Sequence, residues 1–530
     1  MAGVHAGAAR TALPMSLRQS SVYTVNVLDG SAPALQLSES VSSGVWLRAW
    51  NKWGFATDFG ARRTDLVRAH RAGALLGGCV NCAVLLPYEN GLTWKQFTNL
   101  ATRDPSGNLY QVARGVYHGS ISNPGYQKYV LLWGERQIDA GVDVLLMDAV
   151  DGDYSGHEGF DLYGLAEFNE YLLNRFCAKQ RWSATDRRWT LAFHVDFRDP
   201  KVCPDHTMLT FNYVSYLRAN GWTSDPAVRA NPLAAVWGDP ADIGDVSYCG
   251  VRNARVWNYW NSALREYARL HGRRVWLAAS GLYPGADLHV VSFPEGFPRN
   301  REGELLCNES DFGLWRGIAA AAQAIDSDDA TPVVVCLGDR NALTWRGLAD
   351  EERAAWINSY VPEVFAAGLY FGYPVSLGQG QPGSTSATMA AIRRQVRFIH
   401  YVTPLLQGAS WLPAQVASYT GEAEVSVTAQ PGYRRLMAHL IGRNYERTDP
   451  LAQTGKVLRV PLGIRPDYVR VHISENASTV TPPWSFAPMG KQKTGLGVLT
   501  VTIPTLASWD IVEIGLPRWV TLSGDRASGP

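Results

Sequence analysis

The stretch IDAGVDVLLMDAVDGDYSG, residues 138–156, decides how this chain folds. Gly141 follows a run with helical periodicity and is the usual residue at a helix stop. Residues 142–147 are then almost wholly apolar over strand length, as expected of a strand covered on both faces. Asp148 stands where that strand runs out into a Gly-rich loop. Helix, buried strand and polar strand end, in that order, make one unit of a βα alternation.

The unit repeats on both sides. Strands are expected at residues 45–50, 80–86, 116–121, 142–148, 189–196, 274–280, 332–337 and 369–375. Between them lie helical segments such as DLVRAHRAGALL, YQKYVLLWGERQIDAG, FNEYLLNRFCAKQ and ARVWNYWNSALREYARLHG. Eight such strands predict the α/β class and a closed (β/α)8 TIM barrel over residues 44–412. A doubly wound open sheet is the alternative, but no G-x-G-x-x-G follows the first strand. Two long insertions, residues 198–251 and 281–303, are expected on the C-terminal face as a lid or substrate wall.

After residue 412 the pattern changes to alternating strands: AEVSVTAQ, YRRLMAHLIG, VLRVPL, YVRVHIS, GVLTVTIP and IVEIG. Residues 413–530 are therefore expected to form a C-terminal antiparallel β-sandwich. Residues 1–43, rich in Ala, Ser and Gly with one strand-like run, VYTVNVL, read as an N-terminal arm lying against the barrel.

Composition narrows the ligand. The 49 Lys and Arg side chains balance 48 Asp and Glu to a net charge of +1, which gives no field for nucleic acid and favours a neutral ligand. No run is long and apolar enough for a bilayer, so no membrane partner is expected. The first residues lack a continuous apolar core, so no secretory signal is read; a cytoplasmic chain, non-classical release or a processed start is expected. The seven Cys are too few and too spread for a disulfide framework. Cys79 and Cys82 form a CxxC in an apparent strand, where residues three apart face opposite ways, so neither a metal nor another cofactor is expected.

A strand-end carboxylate at the mouth of a barrel is costly unless it is paired or used, and this rim is where barrel enzymes do chemistry. Capping the next turn is the structural alternative for Asp148. Cleaving a glycosidic bond needs two carboxyl groups that flank it. Glu89, Asp196, Glu295, Glu309, Asp311 and Asp339 are the other carboxylates near strand or loop ends. Glu309, in GELLCNESDFGLW, is delivered by an apolar run just ahead of a helix, whereas Asp311 has the N-cap as its ordinary role.

The order of segments is similar to one known family. SNPGYQKY before Asp148, then VWLAASG, ELLCNES, VVVCLGD, YVPEVFAAGLYFGYPVS, RFIHYVTPLL and RRLMAHLIG resembles glycoside hydrolase family 66, the dextranases and cycloisomaltooligosaccharide glucanotransferases, or a related family of retaining barrels. The resemblance spans most of residues 116–475 as loose motifs. It implies a retaining hydrolase of an α-linked saccharide with Asp148 as nucleophile and Glu309 as general acid/base, and a transglycosylase of the same fold as its near variant. The segment LLMDAVDGD departs from that family's usual wording, and residues 1–43 leave no room for its N-terminal sandwich.

Other strand ends offer what a sugar site uses. Trp50, Asn51, Lys52 and Trp53 follow the first expected strand; Tyr88 and Glu89 follow the second; His118 belongs to the third. His194 and Asp196 close the fifth, Asp339 and Arg340 the seventh, and Tyr373 the eighth. Dense hydrogen bonding with stacked rings suits an oligo- or polysaccharide substrate. A non-catalytic polysaccharide-binding barrel is the competing expectation. A Schiff-base Lys on a strand, a phosphate cradle and a G-x-S-x-G elbow are all missing from the sequence.

Overall fold

The computed structural model describes residues 17–25, 44–52, 59–150, 158–168, 170, 247–293, 307, 311–325, 331–337, 347–373, 387–413, 415–489, 496–518 and 520. Eight parallel strands close into a barrel: β1 (Tyr23–Val25), β2 (Val45–Leu47), β3 (Leu75–Asn81), β4 (Val144–Asp148), β5 (Trp276–Ser280), β6 (Leu288–Phe293), β7 (Val333–Leu337) and β8 (Tyr370–Tyr373). Each pairs with its sequence neighbours, and β1 pairs with β8 to close the ring. The barrel lumen is a packed core. Tyr23, Val45, Leu75, Val144, Leu146, Leu288 and Val334 point into it, while alternate residues such as Trp46, Leu145 and Val335 pack under the helices.

Four expectations about strands are corrected. VYTVNVL supplies β1 rather than part of an outer arm, because Tyr23 and Thr24 bridge β8 and β2. The expected strand at 80–86 lies earlier, at Leu75–Asn81. The helix-like run DLVRAHRAGALL ends at Arg71, so its last two leucines open β3, where a Cβ at Gly77 would stand 2.7 Å from the Trp46 carbonyl oxygen and one at Gly78 2.0 Å from the Gln137 amide. Close approach, not turning, explains those glycines.

Val116–His118 is not in the barrel. It is the middle of a three-stranded antiparallel sheet with Val84–Leu85 and Gln111–Ala113. That sheet follows the C-terminal end of β3 and carries a register shift. Its outer strand Gln111–Ala113 is exposed, in contrast to the buried run of β4. Conversely LHVVSF, inside the expected insertion 281–303, is β6. The expected strand at 189–196 and insertion 198–251 lie outside the described residues, except for residues 247–251 at the start of helix Ser247–Leu270.

β5 and β6 are parallel yet joined by residues 281–287 without a helix. This return is held by the long helix Ser247–Leu270: Trp257 Nε1 donates to the Pro284 carbonyl at 2.9 Å, and Arg265 donates to Asp287 at 2.9 Å. The CxxC divides as its spacing predicts. Cys79 lies in the lumen core and Cys82 in the core beneath the helices, and both are buried.

The C-terminal part is a sandwich of a six-stranded and a four-stranded antiparallel sheet. All six strand-like runs noted in the sequence occur in it. Between the sheets pack Val427, Leu458, Val460, Leu499, Val501 and Val512. The other face of the six-stranded sheet meets the barrel through Met437, Ile441, Trp509 and Ile511, which share one core with the helices Asp350–Ala366 and Ala387–Leu406. No helix among the described residues is long and apolar enough to cross a membrane.

Candidate active site

Inward-facing parity in β4 runs Val144, Leu146, Asp148, so the strand ends with a carboxylate at the C-terminal mouth of the lumen. The same parity in β3 runs Leu75, Cys79, Asn81, and Asn81 lies directly beside Asp148 in the register. Asn81 Oδ1 accepts from the backbone N–H groups of Ala83 and Val84 at 3.2 and 2.8 Å. Its amide is thereby turned so that Nδ2 donates to Asp148 Oδ2 at 3.4 Å. Arg48, just past β2, donates through a terminal guanidinium nitrogen to Asp148 Oδ1 at 2.6 Å.

The backbone is bent on both sides of this contact. Arg48 and Ala149 have φ of 53° and 51°, in the left-handed region that costs an L-residue about 1–2 kcal/mol. The side chains of Arg48 and Asp148 keep 14% and 12% exposure, which leaves the carboxylate reachable but largely shielded. Sequence reading singles out neither Arg48 nor Asn81. The signal for Asn81 is the one that marks Asp148, a polar residue at the end of a strand, whereas at Arg48 it is masked by the apolar Ala49 and Trp50 that follow.

The other expected residues divide by burial. Trp50 is fully buried and donates to Asp65 at 3.3 Å. Asn51 is half-buried. Lys52 is also fully buried; it pairs with Glu89 at 3.3 Å and donates to the Val84 carbonyl. Burial lowers the Lys52 pKa, and the nearby Glu89 carboxylate partly opposes that shift. Glu89 also accepts from the Leu86 N–H at 2.7 Å and from the Tyr129 hydroxyl at 2.8 Å. Lys52 and Glu89 thus clamp two loops together instead of facing a ligand.

Tyr88, beside them, is 64% exposed. His118 is buried, with Nδ1 2.6 Å from Glu158 Oε2 and its ring edge-on to Tyr110. Tyr373 is corrected: Tyr370 and Gly372 take the inward positions of β8, so Tyr373 faces outward, fully buried, and donates to Gln395 at 2.9 Å. Burial raises its pKa well above the usual tyrosine value.

Trp53, His194, Asp196, Glu295, Glu309, Asp339 and Arg340 lie outside the described residues. Residues close to Glu309 on either side are described. Cys307 is buried, and its thiol pKa is pushed up to about 11 by burial. The Asp311 N–H donates to Glu363 at 3.1 Å, as does Trp315 Nε1, and Glu363 is ion-paired with Arg443 of the sandwich. Among the described residues no group of three or more His, Cys, Asp or Glu is arranged to hold a metal ion.

The whole architecture is similar to a Paenibacillus sp. cycloisomaltooligosaccharide glucanotransferase solved in complex with cycloisomaltoheptaose, with a TM-score of 0.53 at 9% identity over 94% of this chain and 85% of that one. A noncanonic maltogenic α-amylase from Thermotoga neapolitana has a TM-score of 0.44 at 10% identity, covering 93% of this chain and 99% of its own. At such identity the first likeness establishes a shared fold and nothing finer. No family model and no curated protein matches the sequence.

Proposed function

We propose that this protein is a glycoside hydrolase that cleaves a neutral, α-linked oligo- or polysaccharide with retention of configuration. The observation that carries this is the Asp148 carboxylate, brought by β4 to the lumen mouth and held there by Arg48 and Asn81. In this scheme Asp148 attacks the anomeric carbon while Glu309 donates its proton to the departing oxygen, giving a glycosyl ester. Glu309, now a carboxylate, takes a proton from water, whose oxygen displaces Asp148 and returns it as a carboxylate. A sugar hydroxyl in place of water makes the same cycle a transglycosylation. The fold shared with a glucanotransferase supports this class.

The sixth strand favours a second candidate for the acid. Because Leu288–Phe293 belongs to the barrel, Glu295 follows a strand end by two residues, whereas Glu309 stands just ahead of a segment tied to the helix Asp350–Ala366. Kinetics on glycosides with good and poor leaving groups distinguish the two. The acid/base variant, E309Q or E295Q, keeps activity only where the leaving group needs no proton, and azide restores turnover.

The primary test incubates the protein with α-linked glucans, galactans and arabinans and follows the product anomer by NMR. Retention is expected. Asp148→Asn is expected to lose roughly a thousandfold or more in kcat with an unchanged melting temperature. Near-normal turnover by that variant removes Asp148 from the chemistry.

A further inference from the structure

We propose that Tyr88 and Trp94 form a stacking platform that binds a saccharide chain at the rim, as a subsite additional to Asp148. This rests on the carbohydrate-active reading above. Both rings belong to the excursion after the C-terminal end of β3. Tyr88 is 64% and Trp94 48% exposed, with ring centroids 6.2 Å apart and planes 37° from each other. Trp94 is backed by the buried Phe97 at 5.1 Å, which is in turn edge-on to Tyr117.

Both rings are rigidly mounted. Trp94 opens the helix Trp94–Leu100, fixed by a Thr93–Gln96 capping box. Tyr88 has φ 60° and ψ 7°, a left-handed conformation that disfavours its side chain. The next residue's carboxylate, Glu89, is buried and bonded to Leu86, Tyr129 and Lys52, so the strained turn cannot relax. The chain holds a tyrosine in a glycine-like conformation and leaves its ring in solvent beside a second exposed ring. Packing against the protein covers only part of either ring, whereas a ligand that stacks covers the rest.

Charge selects the class of ligand. Glu89, next to Tyr88, is buried and paired with Lys52, and between Leu86 and Leu100 the only exposed charged side chain is that of Lys95. One lysine in the segment that carries the two rings is not the basic track that a phosphate backbone requires. Flat apolar faces with neutral hydrogen-bonding groups suit pyranose rings.

Affinity electrophoresis in native gels containing dextran, pullulan, soluble starch or arabinogalactan tests the platform. The wild-type protein should be retarded by at least one of the four. Tyr88→Ala and Trp94→Ala should each weaken that retardation about tenfold, while Tyr88→Phe and Trp94→Phe keep most of it. Tyr88→Gly should melt no lower than wild type yet bind as weakly as Tyr88→Ala. No retardation of wild type by any of the four, retardation unchanged in the double alanine variant, or a lowered melting temperature for Tyr88→Gly overturns the platform. So does a sedimenting dimer that only the double variant dissociates, since the rings would then cover a second copy of the chain. Loss of hydrolysis in wild type with ring-dependent retardation intact would defeat the hydrolase and leave the platform standing; hydrolysis with ring-independent retardation would do the reverse.

Discussion

Asp148 is bound from two directions, by a side chain of the adjacent strand β3 and by one just past β2, and the two contacts differ in kind. The Arg48 contact, at 2.6 Å, joins opposite charges; the Asn81 contact, at 3.4 Å, is long and neutral. Arg48 therefore fixes the direction in which the carboxylate faces a sugar. Arg48→Ala is expected to lower kcat roughly a hundredfold, since small misplacement of a reacting group costs that much, while the melting temperature changes little. Asn81→Ala is expected to cost less. Steady-state kinetics on the substrate found for wild type checks both, and equal losses would show that the charged contact orients Asp148 no better than the neutral one. Asp148 itself is legible in the sequence because a polar residue closes an unbroken apolar run. Arg48 is not, because β2 is only three residues long and its end is blurred by the apolar AW that follows.

Among the elements, loops that leave β2 and β3 are pinned together by the Lys52–Glu89 pair, with side chains 0% and 2% exposed. Removing one partner strands the other charge without water, so Lys52→Ala is expected to cost about 3–5 kcal/mol in urea unfolding. Lys52→Met combined with Glu89→Gln should cost clearly less than Lys52→Ala alone. A single-variant cost below about 1 kcal/mol would mean that water reaches the pair. Sequence identifies these two as charged residues near strand ends but not as each other's partner. That depends on how two loops fold over one another. The strand errors have similarly local causes. VYHGSI in the excursion sheet has the alternation of a half-buried strand, whereas LLGG in β3 hides a buried strand behind glycines needed for the passage of Trp46 and Gln137. β6 is a short apolar run with no helix between it and β5 to mark it.

At the scale of the molecule, barrel and sandwich share a core, and the ionisable groups inside that junction make it sensitive to acid. His439, on the sandwich strand Arg435–Gly442, is fully buried beside Trp509 and bonded to Thr428; burial lowers its pKa to about 3. A folded pKa below the unfolded value of about 6.5 means that unfolded chains take up the proton first, so its stabilising contribution is complete above that pH and shrinks as pH falls towards 3. Urea unfolding should show a loss of about 2 kcal/mol between pH 6.5 and pH 5 from this residue, absent in His439→Leu. Arg443→Ala leaves Glu363 buried and is expected to cost about 3–5 kcal/mol by the same measurement. Closed barrel and sandwich are both legible from periodicity, but their junction is not, because the pairing of Arg443 with Glu363 spans 80 positions of the chain.

The helix-free return between β5 and β6 gives the cylinder a seam. Among the described residues a helix lies between β2 and β3, β3 and β4, β4 and β5, β6 and β7, and β7 and β8; between β5 and β6 a strap of residues 281–287 lies on the wall instead, fastened by Trp257, Asn261 and Arg265 of one neighbouring helix. If that helix lifts, the strap and the edge of β6 lose their cover together. Amide exchange in residues 281–293 should therefore track that of residues 257–265, and the barrel should breathe first along this line.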